Sequence, residues 1–280
     1  MLFTVLSDIA RAGLRLATGK SAISRCPVCA AEARILGEVD FNKSCEDRNG
    51  VLLPKANTTV RYFLCNRCGF CFAPEFKGWS DRKFIERIYN DEYVLVDPEY
   101  VALRPQRAAS YLENRFGPVR DRIAHLDYGG GNGLLSRLLC AAGWRSASHD
   151  DFVEGPGRFA QLSTYDLVTA FEVFEHVADP QRLMSALSRV THPRSLILFS
   201  TLLSDGTIAP GRGLDWWYLA PRNGHISLYS SNSLSVLLSA HGYRLLHFDE
   251  GFHVAFREFP EWAAGLSLFR GVGSIASSCA

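Results

Sequence analysis

Two cysteine pairs, Cys26-Pro27-Val28-Cys29 and Cys65-Asn66-Arg67-Cys68, have the spacing with which two knuckles close a tetrahedral metal site. Four thiolates leave no open position for a reactant, so a zinc held by Cys26, Cys29, Cys65 and Cys68 would be structural. Gly69 suits the positive-φ turn that lets backbone N–H groups reach the sulfurs. Cys71 keeps the ligand set open, because Cys68 and Cys71 repeat the same spacing. Buried thiols without metal are the plain alternative. No thioredoxin-like βαβ pattern supports a redox role. A second set is Leu126-Asp127-Tyr128-Gly129-Gly130-Gly131-Asn132-Gly133, followed by Leu134, Leu135, Leu138 and Leu139 on one helical face. A strand that ends in glycines and opens a helix brings backbone N–H groups close to a ligand. Leu134 stands where a dinucleotide fingerprint needs a third small residue, so NAD is disfavoured. Asp150 comes 23 residues after Asp127, at the distance where an acid ending the second strand meets both hydroxyls of a ribose. Asp151, its neighbour, is the other candidate.

A third set is the buried-strand run Tyr165–Ala170, which discharges into Phe171-Glu172-Val173-Phe174-Glu175-His176-Val177. Ligands of open α/β sheets lie beyond the carboxyl ends of the strands. That rule puts Gly129, Gly131, Asp150, Phe171 and Glu172 around one ligand, with His176 at its rim. Glu175 and His176 can instead cap the helix that follows, the more ordinary role for Glu175. The last set is Trp216-Trp217-Tyr218, Arg222 and His225, between a strand ending at Leu202 and a helix after Asn232. Tryptophan and tyrosine faces stack on sugars or bases, and an arginine fork pairs with phosphate. Loop core is the competing role for the tryptophans. An imidazole titrates near neutral pH, so His225 can take a proton from a hydroxyl, with His176 as rival.

Taken together, Leu126–Gly133, Asp150 and Phe171–Val177 resemble class I S-adenosylmethionine-dependent methyltransferases, specifically the ubiquinone-type subgroup with its Glu-His motif. The resemblance covers residues 105–258 and implies S-adenosylmethionine as cofactor, with Asp127, Gly129, Gly131, Asp150, Phe171 and Glu172 around it. It also makes Tyr89–Tyr93 an aromatic segment closing over the cofactor, where a polar-capped helix end is the alternative. His225–Ser230 with Leu234, Leu237, Leu238 and Gly242 is similar to the matching segment of zinc-carrying nucleotide-sugar C-methyltransferases. Those enzymes carry Glu where Gly224 stands and a long further C-terminal domain for which this chain ends too soon. Both departures weigh against C-methylation and leave O-methylation with a histidine base.

These groups need elements to position them. The pattern is α/β: a doubly wound, mostly parallel Rossmann-like sheet with an antiparallel last strand, plus a small N-terminal zinc-ribbon-like module. Residues 2–18 predict an amphipathic helix, docked on protein or lying on a membrane surface through Arg11, Arg15 and Lys20. Residues 23–75 form the cysteine module, with strands expected at Val51–Leu53 and Thr58–Leu64. Residues 76–104 are a mostly helical bridge with Ile85, Ile88 and Tyr89 on one face. Residues 105–262 form the methyltransferase-like domain, with a substrate-side insertion at 204–230. Only Asp151–Tyr165 separates the second strand from the next, so the usual third strand is short or lost. Tyr243–Phe248 and Phe252–Arg257 read as a hairpin. Residues 263–280 look weakly ordered.

The 280 residues are 47% hydrophobic and 21% charged, with net charge +1, as in an ordinary packed protein. Such a balance offers no basic field for nucleic acid. No run reaches membrane-span length, and nothing reads as a secretory leader, so a cytoplasmic location is expected. A small-molecule or glycan acceptor, preferably a sugar hydroxyl, leads. An RNA methyltransferase using the zinc module is the second reading, and a non-catalytic relic of the fold the third. Oligomeric state is not legible.

Overall fold

A computed structural model describes residues 22–154, 156–249 and 251–269. The helix expected over residues 2–18 and the tail from residue 270 lie outside them. Two sheets organise the rest. In the first, β1 (Ile23–Arg25), β2 (Glu32–Asp40), β3 (Thr59–Cys65) and β4 (Cys71–Phe72) form an antiparallel meander, and the fifth strand is β9 (Ser227–Leu228), from far along the chain. Val51–Leu53, expected as a strand, is unpaired, and Leu52 is 73% exposed. The partner of β3 is β2 instead, whose register shifts between Ile35 and Gly37. A Cβ on Gly37 would run into Leu214 of the insertion, so the glycine lets that segment pack against the sheet.

The bridge is less helical than expected: α1 (Asp81–Arg87), α2 (Tyr93–Val96) and then α3 (Leu103–Phe116). The Ser80 hydroxyl caps α1 by accepting from Lys83 N–H. Phe84 and Ile88 form its buried face, while Ile85 points out, because the inward stripe falls at i and i+4 from Phe84.

The second sheet has the order β10-β11-β8-β7-β5-β6. β5 (Ala124–Tyr128), β6 (Arg145–His149), β7 (Tyr165–Phe171) and β8 (Thr191–Ser200) run parallel. β10 (Arg244–His247) and β11 (Phe252–Phe256) form a hairpin, with β11 antiparallel to β8. Among the described residues no strand lies between β6 and β7. The chain makes two short helices there, α5 (Asp151–Glu154) and α6 (Pro156–Phe159), so β6 is the sheet edge.

Strand alternation sends successive side chains to opposite faces. Val168, Ala170, Ile197 and Phe199 pack on one face with Leu183, Met184 and Leu187 of α7 (Pro180–Arg189) and Leu234, Leu237 and Leu238 of α8 (Ser231–Ala240). Leu167, Leu196 and Leu198 pack on the other with Leu112 and Phe116 of α3 and Leu135 and Leu139 of α4 (Leu134–Ala141). The start of the expected loose tail belongs to this second face. Ala263, Leu266 and Phe269 are buried there at a three-residue spacing, and burying a ring such as Phe269 contributes roughly 1.5–3 kcal/mol. Among the described residues no helix is long and apolar enough to cross a membrane.

Candidate active site

The carboxyl ends of β5, β6, β7 and β8 meet at one edge. Gly129, Gly131 and Gly133 all have positive φ there (76°, 54° and 71°), which side-chain-bearing residues resist. A Cβ on Gly129 would sit 2.5 Å from Val173, whereas around Gly131 the space is open. The loop is tied to β6 by its own backbone: Gly129 N–H and Gly130 N–H both donate to the His149 carbonyl, at 2.8 and 3.2 Å. Gly131 N–H donates to Asp150 Oδ2 at 3.0 Å, and Phe152 N–H to Asp150 Oδ1 at 2.9 Å. Of the two adjacent acids, Asp150 therefore faces the glycines. Asp151 turns to the buried His149, whose ring lies between Asp151 (2.9 Å) and Glu154 (3.1 Å). Asp127 is buried beneath the loop and accepts from the Thr169 hydroxyl at 3.0 Å; burial pushes its carboxyl up to about 7.

At the end of β7, Glu172 has φ 53°, an unusual conformation for a residue with a side chain. Ser200, ending β8, holds it there: Glu172 N–H donates to Ser200 Oγ at 2.9 Å, and Ser200 Oγ–H donates to Glu172 Oε1 at 2.8 Å. Arg104 approaches Glu172 at 3.8 Å and pairs closely with the buried Asp97. Phe171 is half-buried and packs on Phe252. Sequence reasoning missed Ser200, Arg104 and Asp97. Ser200 carries the signal that found Glu172, a polar residue at the end of an apolar strand, whereas the Arg104–Asp97 pair has no local signature.

Glu175 is not the expected helix cap. Asp179 caps α7, accepting from Gln181 and Arg182 N–H groups, with Pro180 at the first helical position. Glu175 is fully buried in a 3-10 turn (Phe174–His176), where Tyr218 O–H donates to its Oε1 at 2.6 Å and Oε2 has no partner. Burial, then the nearby Glu172 charge, pushes its carboxyl up to about 8. His176 and His225 stand edge to face, 4.9 Å between ring centres. Burial holds both imidazoles neutral, His176 down to about 3 and His225 well below its ordinary value. His225 Nδ1 lies 2.9 Å from the Tyr218 carbonyl, and the His225 carbonyl accepts from Tyr62 O–H at 2.7 Å.

The substrate-side expectations need correction. Arg222 does not offer its fork to a ligand: it is buried, with Nη1–H donating to the Ile88 carbonyl (2.8 Å) and Nη2–H to Asn90 Oδ1 (3.0 Å). Tyr218 is no exposed stacking face either, since it is buried and bound to Glu175. Trp216 and Trp217 are half-buried; Trp216 packs on Tyr218, and Arg48 covers Trp217 with its guanidinium 3.7 Å from the ring. Adjacent aromatic residues look like a stacking platform in sequence, but here Trp216 and Trp217 pack on Tyr218, and Tyr218 packs on His225 with 4.2 Å between ring centres.

The four cysteines expected as ligands come together, with all Sγ atoms within 4.8 Å of one another. Cys26 and Cys68 sulfurs are 3.6 Å apart and those of Cys29 and Cys65 3.5 Å. A tetrahedron with zinc–sulfur bonds of about 2.3 Å has edges of about 3.8 Å, so the donor set fits zinc. Cys71 points into a different core, with Val60, Tyr62 and Leu228. A cleft of about 520 Å³ lined by Asp166, His192, Arg194, Glu258 and Trp262 lies at the amino ends of β7 and β8, the wrong end of the sheet for ligands of this fold class.

Residues 100–248 match the family described as methyltransferase domain. Ubiquinone biosynthesis O-methyltransferases of Pseudomonas savastanoi pv. phaseolicola and Pseudomonas syringae pv. syringae are each 27% identical, over 33% of this chain and 49% of theirs. The chain thus spans about half the length of the curated relatives it matches. Among solved structures, mitomycin 7-O-methyltransferase aligns at 18% identity and TM-score 0.44, over 64% of this chain and 60% of that one. The 1,6-didemethyltoxoflavin-N1-methyltransferase of Burkholderia thailandensis aligns at 14% identity and TM-score 0.41, over 68% and 95%. With more than half its length under the family match, the chain belongs to the methyltransferase domain family.

Proposed function

We propose that this protein is an S-adenosylmethionine-dependent methyltransferase that methylates a hydroxyl of a small molecule or glycan, a sugar hydroxyl being the preferred acceptor. The observation that carries the reading is the edge where β5, β6 and β7 end. A positive-φ glycine loop bonded to Asp150 lies there, Glu172 ends the neighbouring strand, and two neutral imidazoles pack edge to face, one of them in the Phe174–His176 turn just after Glu172. Asp127, Gly129, Gly131, Asp150, Phe171 and Glu172 would hold the cofactor, whose sulfonium supplies an electrophilic methyl. Each Asp150 oxygen keeps a lone pair beyond its backbone bond, enough to accept from ribose hydroxyls. His225, with His176 beside it, takes the acceptor proton, because a neutral imidazole has a lone pair to receive it. Aromatic walls and neutral histidines, with Arg222 committed inside the protein, favour an uncharged acceptor. Cys26, Cys29, Cys65 and Cys68 would hold a structural zinc.

Incubation with methyl-labelled S-adenosylmethionine and fractionated cell extract tests the reading. Label in small molecules or glycan is expected. Label in RNA would overturn the acceptor class, and calorimetry showing no cofactor binding would overturn the enzyme.

A further inference from the structure

We infer that Glu175, His176 and His225 form a second cation site, taking a divalent first-row transition metal on the acceptor side, distinct from the four cysteines. The inference deepens the methyl-transfer reading and rests on it for its chemistry, though not for its test. One carboxylate oxygen and one ring nitrogen from each histidine lie within 4.8 Å of one another. The three residues come from two distant segments that the backbone locks together: Ile226 N–H donates to the Glu175 carbonyl at 2.9 Å, and Ser227 Oγ–H to the Val177 carbonyl at 2.7 Å.

Each residue keeps a lone pair that no protein group uses. Glu175 is fully buried, and its Oε2 has no hydrogen-bond partner; the buried His176 Nδ1 has none either. A buried carboxylate oxygen without a donor is costly unless something positive meets it. His225 Nδ1 faces the Tyr218 carbonyl, which can only accept, so that nitrogen carries the hydrogen and Nε2 carries the lone pair. A backbone carbonyl fixing one imidazole nitrogen is how metal-binding histidines are commonly oriented. Tyr218 does this twice, its carbonyl holding His225 and its hydroxyl holding Glu175 Oε1. Gly224 keeps the space clear: a Cβ there would lie 2.9 Å from His176 Nδ1 and 3.0 Å from the Tyr89 hydroxyl.

Two imidazoles and one carboxylate suit zinc, iron, cobalt or manganese better than magnesium or calcium. Three protein ligands leave a position open, unlike the closed cysteine set. An ion there favours loss of the acceptor's proton. The O–H bond breaks and the proton passes to water; the oxygen pair forms the new O–C bond while the C–S bond breaks and its pair returns to sulfur. In the loaded protein the imidazole lone pairs hold the ion rather than take the proton.

The test is titration of the metal-stripped full chain with cobalt(II) alone, followed by visible absorption and elemental analysis. Two ions per chain are expected, one with the charge-transfer bands of thiolate ligation and one without. Cys65→Ser should abolish the thiolate bands. His225→Ala and the milder Glu175→Gln should each lose the second ion and keep the first, and Tyr218→Phe should weaken it about 10–100-fold. A wild type that binds only the thiolate-held ion, or a second ion unaffected by both His225→Ala and Glu175→Gln, overturns the site. Calorimetry with S-adenosylmethionine on the same samples separates the two readings. Retained cofactor binding without the second ion sinks only the cation site, whereas a bound second ion without cofactor binding sinks methyl transfer.

Discussion

The glycine edge proposed to hold the cofactor and the histidine wall proposed to receive the acceptor are built by different means. The glycine loop of the edge is held by its own N–H groups: those of Gly129, Gly130 and Gly131 reach only as far as the His149 carbonyl and the Asp150 carboxylate. The wall is held by side chains reaching across the chain. Tyr62 bonds the carbonyl of His225, 163 residues away; Cys45 N–H bonds Asn223 Oδ1; Lys43 Nζ bonds the carbonyls of Trp216 and Leu219. All three donors come from the cysteine module. Ser230 Oγ–H donates to the Cys68 carbonyl, and β4 pairs with β9. The module is therefore part of the wall around His225, which a sequence boundary at residue 75 conceals.

If this contrast is right, damage to the cysteines should reach the wall and spare the edge. Cys65→Ser should lose the proposed structural zinc and several kcal/mol of stability, the largest effect expected. Amide exchange should rise across residues 218–230 well before it rises across 124–150; equal acceleration in both would erase the distinction. Asp127 probes the edge by pH. Its folded value of about 7 lies above the unfolded 3.8, so the folded state binds the extra proton between them. Stability should fall as pH rises from about 4 to about 7, by on the order of 2–4 kcal/mol, and remain lower above that. Asp127→Asn should flatten this slope in urea titrations, and an unchanged slope would place the titration elsewhere.

Asp150→Ala should weaken S-adenosylmethionine binding by about 1.5–3 kcal/mol while leaving exchange in residues 218–230 untouched. An unchanged dissociation constant would remove the ribose role. The smallest effect is reserved for Tyr62→Phe, which leaves the His225 carbonyl without its donor and should cost about 1–2 kcal/mol of stability. Cofactor affinity should not move; if it does, wall and edge are coupled more tightly than their bonding implies.

The same division explains what could be read from sequence. Glycines at a strand end, an acid at the next strand end and paired cysteines are local signals, and each fell where local rules put it. The wall carries no such signals. Arg222 is of a type that usually faces water, yet two distant acceptors, Ile88 and Asn90, hold it inside. β9 is two residues long and exists because β4 is beside it. β2 escaped because a bulge breaks its alternation and Ala33 is its one fully buried side chain. Val51–Leu53 misled in the opposite sense, its apolar residues lacking any partner strand. Phe269 looked like loose tail because single apolar residues at a three-residue spacing carry little pattern until a sheet face receives them.

The short strand β9 also bears on how the chain is made. Cys71 pairs with Leu228, so the first sheet cannot be finished until most of the chain has left the ribosome. The cysteines are synthesised early, but their supporting strand arrives late. Until then β4 lacks its outer partner, and a ribosome-bound chain stopped before residue 227 should show Cys26 and Cys68 reacting with a thiol reagent that the finished protein excludes.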